Sequence, residues 1–317
     1  MGSRIPNAER AAEGPAMNSY SLGIVLAFIS TALHSLSILP LRWIGSEMSA
    51  VDIAFFRSLF SIILLSILHG VLVRDPSPLS FPRLASYQLF PQAALRLGSF
   101  LLWIYGLSQQ PASIALSLAA TKILWIGMMS QVVFGTRLRI PQWISCIVGF
   151  IGIIIITNPA YYGFNLSILA LFGSAILGAA CNLHLSRLLI NMPPTRLALS
   201  ISFLEVLSLS PFIFSSDIWS LGLHYMPPLL LLSATTTISN SVLIVALRGT
   251  SSQALASIDL FRLPLSLGVA ALFLGETMHI ADVLGSSLIL GANVFYIAFQ
   301  PGKRRSGVSN SSPLNPT

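Results

Sequence analysis

Ile114-Ala-Leu-Ser-Leu-Ala-Ala-Thr-Lys-Ile-Leu-Trp125, running on to Phe134-Gly135-Thr136, has an echo late in the chain. The echo reads Leu255-Ala-Ser-Ile-Asp-Leu-Phe-Arg-Leu-Pro-Leu-Ser266 and runs on to Leu274-Gly275-Glu276. A shift of 140 residues lays Gly135 on Gly275 and Lys122 on Arg262. Each stretch has the length of a membrane-spanning helix, and each carries one cation near its middle. A charge at mid-bilayer costs roughly 2.5–3.5 kcal/mol on insertion scales, so its recurrence at the equivalent position requires a polar surrounding. The pair predicts a duplicated membrane protein whose halves enclose a polar path.

Composition agrees. The chain of 317 residues is 54% hydrophobic and 9% charged, with a mean hydropathy of +0.81. A soluble domain carries about a quarter charged residues. Ten spans are expected, approximately 20–42, 51–73, 88–108, 111–135, 141–158, 164–186, 197–215, 227–247, 252–275 and 279–299. The short Gln109-Gln110-Pro111 connection predicts a tight hairpin, and Ser251-Ser252 predicts another. The segment from Asp75 to Tyr87 is the one connection long enough for structure of its own. Residues 1–18 and 301–317 are polar and read as disordered tails. No cleavable signal peptide is expected, and the start of translation stays open between Met1 and Met17.

The net charge of +7 does not point to nucleic acid. Twelve loop and tail cations, among them Arg74, Arg137, Arg187, Arg248 and Lys303, fall on one side of the predicted topology, and only Arg42 falls on the other. The positive-inside rule then places both termini in the cytoplasm and favours an even number of spans. Five spans per half imply inverted halves, a plan shared by many secondary transporters. Gly149, Gly152, Gly285 and Gly291 are expected to let helices approach closely. Cys146 and Cys181 lack the spacing of a metal site or redox pair and read as small apolar residues.

The sequence resembles the drug/metabolite transporter superfamily, and within it the ten-helix EamA-type transporters. The resemblance rests on Phe55-Phe56-Arg57, on Tyr105-Gly106-Leu107 followed by Pro111-Ala112-Ser113, and on Gly149-Phe150-Ile151-Gly152. Phe261-Arg262-Leu263-Pro264 running to Leu274-Gly275-Glu276 completes it. Thr136 stands where the family carries a glutamate. The resemblance implies an all-α integral membrane fold of ten helices in two inverted five-helix repeats, spanning 19–159 and 162–300. It also implies a secondary transporter in the bacterial inner membrane, working by alternating access on a small polar metabolite and needing no cofactor. The wording of the Phe-Phe-Arg and Phe-Arg-Leu-Pro strings is most similar to importers of S-adenosylmethionine or riboflavin. An efflux carrier for amino acids or amphiphilic drugs is the alternative.

Ionisable residues within spans are the candidates for cargo contact. They are Arg57, Arg96, Lys122, Asp259 and Arg262, with Glu205 as a counter-ion or proton carrier. The family fold implies that Arg96, Lys122 and Arg262 face a central cavity. Asp259 and Arg262 are three apart on one helix, so they either neutralise each other or leave Arg262 for cargo. Arg57 has the alternative of pairing with Asp52 or with backbone carbonyls. Trp103 and Trp125 offer either stacking faces for a flat ring or ordinary packing. His34 and His184 read as packing residues; Ser117, Thr121, Ser130, Asn240 and Ser257 either line the path or bridge helices. No nucleophile elbow, metal cluster or phosphate loop occurs in the sequence, which argues against an enzyme. The expected partners are a small-molecule cargo and the lipid bilayer; the oligomeric state is left open.

Overall fold

The computed structural model describes residues 15–45, 47–68, 87–134, 140–157, 165–191, 194–213, 217–249, 258–259, 261–275 and 279–299. Among them there are thirteen α-helices, a short 3-10 turn and no strand. The first seven are α1 (Pro15–Leu36), α2 (Ile38–Ile44), α3 (Ala50–Leu68), α4 (Leu89–Gln109), α5 (Ala112–Ala120), α6 (Lys122–Phe134) and α7 (Ile140–Thr157). The remaining six are α8 (Leu166–Asn191), α9 (Pro194–Leu209), α10 (Asp217–His224), α11 (Met226–Gly249), α12 (Arg262–Leu274) and α13 (Ile280–Ala298). Among the described residues, four helical stretches are long and apolar enough to cross a membrane, namely Ser21–Ile44, Ala50–Ile67, Ala112–Val132 and Leu166–Leu185. Shorter apolar helices cover Ile140–Ile156, Arg262–Leu274 and Ile280–Tyr296.

Prolines mark where helices begin. Pro91, Pro141, Pro194, Pro227 and Pro264 all fall in first turns. There the missing N–H is one that no intrahelical carbonyl awaits, and the fixed φ suits the helix. Ser49 and Asp52 cap α3 reciprocally: Ser49 N–H and Oγ donate to Asp52 Oδ2, and Asp52 N–H donates to Ser49 Oγ. The expected hairpin at Gln110 is present, with Gln110 extended (φ −123, ψ 151) as a residue before proline must be. Its counterpart at Ser251-Ser252, the expected connection from Asp75 to Tyr87 except for Tyr87 itself, the Gly135-Thr136 end, and residues 1–14 and 300–317 lie outside the described residues.

The structure departs from the sequence reading in four places. Helix already covers residues 15–18, which were expected as tail, because Pro15 is a favourable first helical residue. The first span is broken at Ser37, where the Pro40 ring forbids a continuous helix across Leu36. The fourth span is broken at Thr121, whose hydroxyl and N–H both donate to Leu118 O, at 2.6 and 3.1 Å. The ninth has the same break at Phe261, whose N–H donates to Ile258 O at 3.0 Å. Thr121 and Phe261 share φ −67 and ψ −13. Lys122 and Arg262 therefore each stand first in a helix that restarts.

Two interfaces are sewn by reciprocal serine pairs. Between α1 and α11, Ser30 Oγ donates to Ser239 O and Ser239 Oγ donates to Ser30 O, both at 2.9 Å. Between α4 and α8, Ser99 Oγ donates to Ser174 O at 2.9 Å and Ser174 Oγ donates to Ser99 O at 2.8 Å. Helix α7 packs along α13 at closest range where Gly152 meets Gly285. A Cβ on Gly152 would stand 2.9 Å from Gly285 O, and one on Gly285 would stand 2.7 Å from Gly152 O. Gly149 is likewise closed off by the Leu124 side chain, but Gly291 faces open space and takes no part in close packing.

Packing is uneven along the bundle. The largest buried apolar cluster gathers Ile38, Leu41 and Ile44 of α2 with Phe55 and Phe56 of α3, Leu107 of α4, Ala112 and Ala115 of α5, Leu171 of α8 and Leu229 of α11. These are the ends of α2, α4 and their neighbours that meet at one end of the bundle, and they seal it. A hydrogen-bonded chain runs over the seal: Arg42 Nη2 donates to Gln110 O at 2.6 Å, and Gln110 Nε2 donates to Ser167 Oγ at 2.7 Å.

Candidate functional site

Beyond the seal lies a cavity of about 350 Å³, within the range of roughly 300–1,000 Å³ typical of small-molecule sites. Its wall comes from α1, α2, α3, α4, α5, α6, α8, α9, α11 and α12, so both halves of the chain contribute. It reaches from the helix breaks near Lys122 and Arg262 towards the end where α8 closes and α9 opens, marked by Leu185 and Leu197.

Four of the sequence-selected cations line it: Arg57, Arg96, Lys122 and Arg262. Trp103 lines it too. The restart of α6 and α12 explains the placement of two of them. A first-turn residue after a broken helix projects from the point where the backbone turns, so Lys122 and Arg262 emerge at the cavity floor rather than midway along a lipid-facing surface. Lys122 runs beside Ser99 and Gly178, where the absence of a side chain makes room: a Cβ at Gly178 would stand 3.2 Å from Lys122 Cδ.

Arg57 is held from three sides. Its Nη2 donates to Glu205 Oε2 at 3.0 Å and to Ser58 Oγ at 3.3 Å, and its guanidinium lies 4.0 Å from the centroid of the Phe100 ring. Ser58 Oγ also donates to Glu205 Oε2, at 2.7 Å. Asp52 is engaged in the α3 cap, so the alternative of an Arg57–Asp52 pair does not arise. Glu205 Oε1 stands 3.2 Å from Arg96 Nε, close enough for charge attraction yet not aligned for a hydrogen bond. One fully buried carboxylate on α9 thus ties α3 to α4.

The other residues sort as follows. Asp259 lies beside Lys122, Arg262 and Asn293 in a smaller chamber of about 40 Å³ that shares those two cations with the main cavity. Trp125 does not line the cavity: its ring is taken edge-on by Phe150 and Phe172, at centroid distances of 5.5 and 5.3 Å. His34 does line it. His184 Nδ1 meets Gln92 Oε1 at 2.8 Å, and Gln92 Nε2 donates to Cys181 Sγ at 3.2 Å. Ser117 bridges α5 to α13 through Ser286 at 2.7 Å, Thr121 serves the helix break, and Ser130 bonds back to Gly127 O. Asn240 lines the cavity, and Ser257 lies outside the described residues.

Sequence reading selected Arg96 and Trp103 but overlooked the wall around them, Gln92 and Ser99 on α4 and Ser174, Gly178 and Cys181 on α8. Gln92, Arg96, Ser99 and Trp103 are spaced at four, three and four residues and form one stripe of α4. Ser174, Gly178, Cys181 and Leu185 repeat that spacing on α8. Helical periodicity of small polar residues was the available signal.

Residues 21–158 match the EamA-like transporter family. The chain is 26% identical over 161 residues to an S-adenosylmethionine uptake transporter of Rickettsia prowazekii (strain Madrid E), covering 51% of this chain and 53% of that protein. It is 27% identical over 150 residues to the transporter of the same name from Rickettsia bellii (strain RML369-C), covering 47% and 50%. The match spans about half the length of these curated relatives. A solved crystal structure superposes with a TM-score of 0.59 at 18% identity over 87% of this chain and 96% of its own, a likeness of fold alone. The half of the chain that carries Arg57, Arg96 and Lys122 is thus similar to the EamA-like transporter family, in a fold of apolar helices with no strand among the described residues.

Proposed function

We propose that the chain is a secondary transporter that moves a small polar metabolite by alternating access, built from ten spans in two inverted five-span units, 19–159 and 162–300. The observation that carries this reading is a charged, two-sided cavity inside an apolar bundle that is sealed at one end. The duplication is supported by the matching breaks at Thr121 and Phe261 and by the helix starts at Ile140 and Ile280, each pair 140 residues apart. The two serine-paired interfaces support it as well, since Ser99 and Ser239 stand at the same interval. The loop cations support a topology with both termini in the cytoplasm of a bacterial cell. The cavity then faces inward, and the apolar seal with its Arg42–Gln110–Ser167 chain closes the outer side.

Transport would follow from rocking of one unit against the other about the midplane, breaking the outer seal while the inner ends of α8, α9 and α4 close. The named relatives make S-adenosylmethionine the first cargo to test, by uptake or exchange, with Trp103 positioned for an adenine ring and Lys122 or Arg262 for a carboxylate. The experiment is saturable flux into proteoliposomes loaded or unloaded with the same compound, run for S-adenosylmethionine, riboflavin and a set of amino acids and organic acids. Countertransport of any of them is the expected result; flux no greater than in empty liposomes for every compound would defeat the reading.

A further inference from the structure

The four cations of the cavity wall are served by two carboxylates. Glu205 is shared, 3.0 Å from Arg57 Nη2 and 3.2 Å from Arg96 Nε. Asp259 is the carboxylate beside Lys122 and Arg262 in the adjoining chamber, and none of these three makes an ion pair within 4.0 Å among the described residues. At each station two positive groups face one negative group. The wall also carries unused hydrogen-bonding capacity: Arg57 Nε and Ser202 Oγ are buried with no hydrogen-bond partner. Excess charge and unmet donors in a low-dielectric interior are costly, and a counter-ion in the cavity relieves both.

We propose that the cavity selects small organic anions, with a carboxylate or phosphate group seated between Lys122 and Arg262. A guanidinium beside an ammonium is well suited to such oxyanions through charge-assisted hydrogen bonds. Arg96, with 24% of its side chain exposed, is free to turn from Glu205 towards a second acidic group. S-adenosylmethionine bears a sulfonium and an ammonium against one carboxylate, so it would add to the positive excess rather than cancel it. The inference rests on the transport reading of the same site and names its class of cargo.

The test follows the melting of the full chain, purified in detergent, as succinate, adenosine monophosphate or S-adenosylmethionine is added at constant ionic strength. Succinate or the nucleotide raises the melting temperature, and S-adenosylmethionine at equal concentration raises it less. Lys122→Gln and Arg262→Gln weaken anion binding about ten- to a hundredfold, the range for one lost charge-assisted hydrogen bond. Asp259→Asn, which removes a negative charge, tightens it; a purely structural role for Asp259 gives the opposite sign. Which of the two anions stabilises more distinguishes a carboxylate site from a phosphate site. Stabilisation by S-adenosylmethionine with none by either anion overturns the proposal while leaving transport standing. Silence from all three overturns it as well, and the flux assay then decides separately whether the chain transports anything.

Discussion

Glu205 and Arg57, 148 residues apart in the chain, meet at 3.0 Å with 0% and 5% of their side chains exposed. Both are buried, so each is solvated by the other together with Ser58, which hydrogen-bonds to both. Removing one member of a buried pair leaves an uncompensated charge, which costs about 3–5 kcal/mol in measured cases. Glu205→Ala is expected to lower stability on that scale, read as a fall in the melting temperature of the purified protein. Replacing Arg57 and Glu205 together by Met should recover much of the loss. If the double variant melts no higher than Glu205→Ala alone, the pair does not stabilise the fold in this way.

Arg96 reaches the same carboxylate under different conditions. Its side chain is 24% exposed and its contact is not aligned as a hydrogen bond. Partly solvated pairs contribute about 0–1 kcal/mol. Arg96→Gln is therefore expected to leave the melting temperature almost unchanged and to reduce cargo flux in proteoliposomes. A stability loss as large as that of Glu205→Ala would show Arg96 to be a strut of the fold instead.

Gly152 and Gly285 set the spacing of α7 and α13. With a Cβ 2.9 or 2.7 Å from the opposing carbonyl oxygen, the helices must part, and overpacking of this kind costs about 1–3 kcal/mol. Gly152→Ala and Gly285→Ala should each lower the melting temperature. Gly291→Ala is the control, because nothing lies within 4 Å of the Cβ it would add. Equal behaviour of all three variants would mean that the close approach is not as described.

Cys181 lines the cavity, whereas Cys146 is packed with Leu124 and Tyr296. A membrane-impermeant maleimide is expected to label Cys181 in inside-out vesicles and not in right-side-out ones, and to spare Cys146 in both. Arg42→Ala removes the donor to Gln110 O and should let label reach Cys181 from the outer side. Labelling of the unaltered protein from the outer side alone would reverse the assignment of the sealed end.

The sequence was legible where physics is local. Prolines in first turns and the extended residue before Pro111 depend on neighbours within a few positions, and each has its counterpart in the structure. The reading that Arg57, Arg96, Lys122 and Arg262 avoid lipid came from the cost of a charge in hydrocarbon, which holds for any arrangement of helices. Which way an uncharged face points was much less legible. In a membrane the surroundings are as apolar as the core, so hydrophobic periodicity barely separates Trp125, spent on Phe150 and Phe172, from Trp103 on the cavity wall. Gly291 looked like Gly152 for the same reason.

By itself, then, the sequence determined a helical membrane protein with cations gathered inside it, because chain length, apolar runs and buried charge admit few other solutions. Only the tertiary structure decided that Glu205 serves both Arg57 and Arg96, that one end of the bundle is closed, and that Trp125 and Gly291 stand aside. Those outcomes are set by contacts between helices far apart in the chain, and partner choice at such distances leaves no periodic trace in either segment.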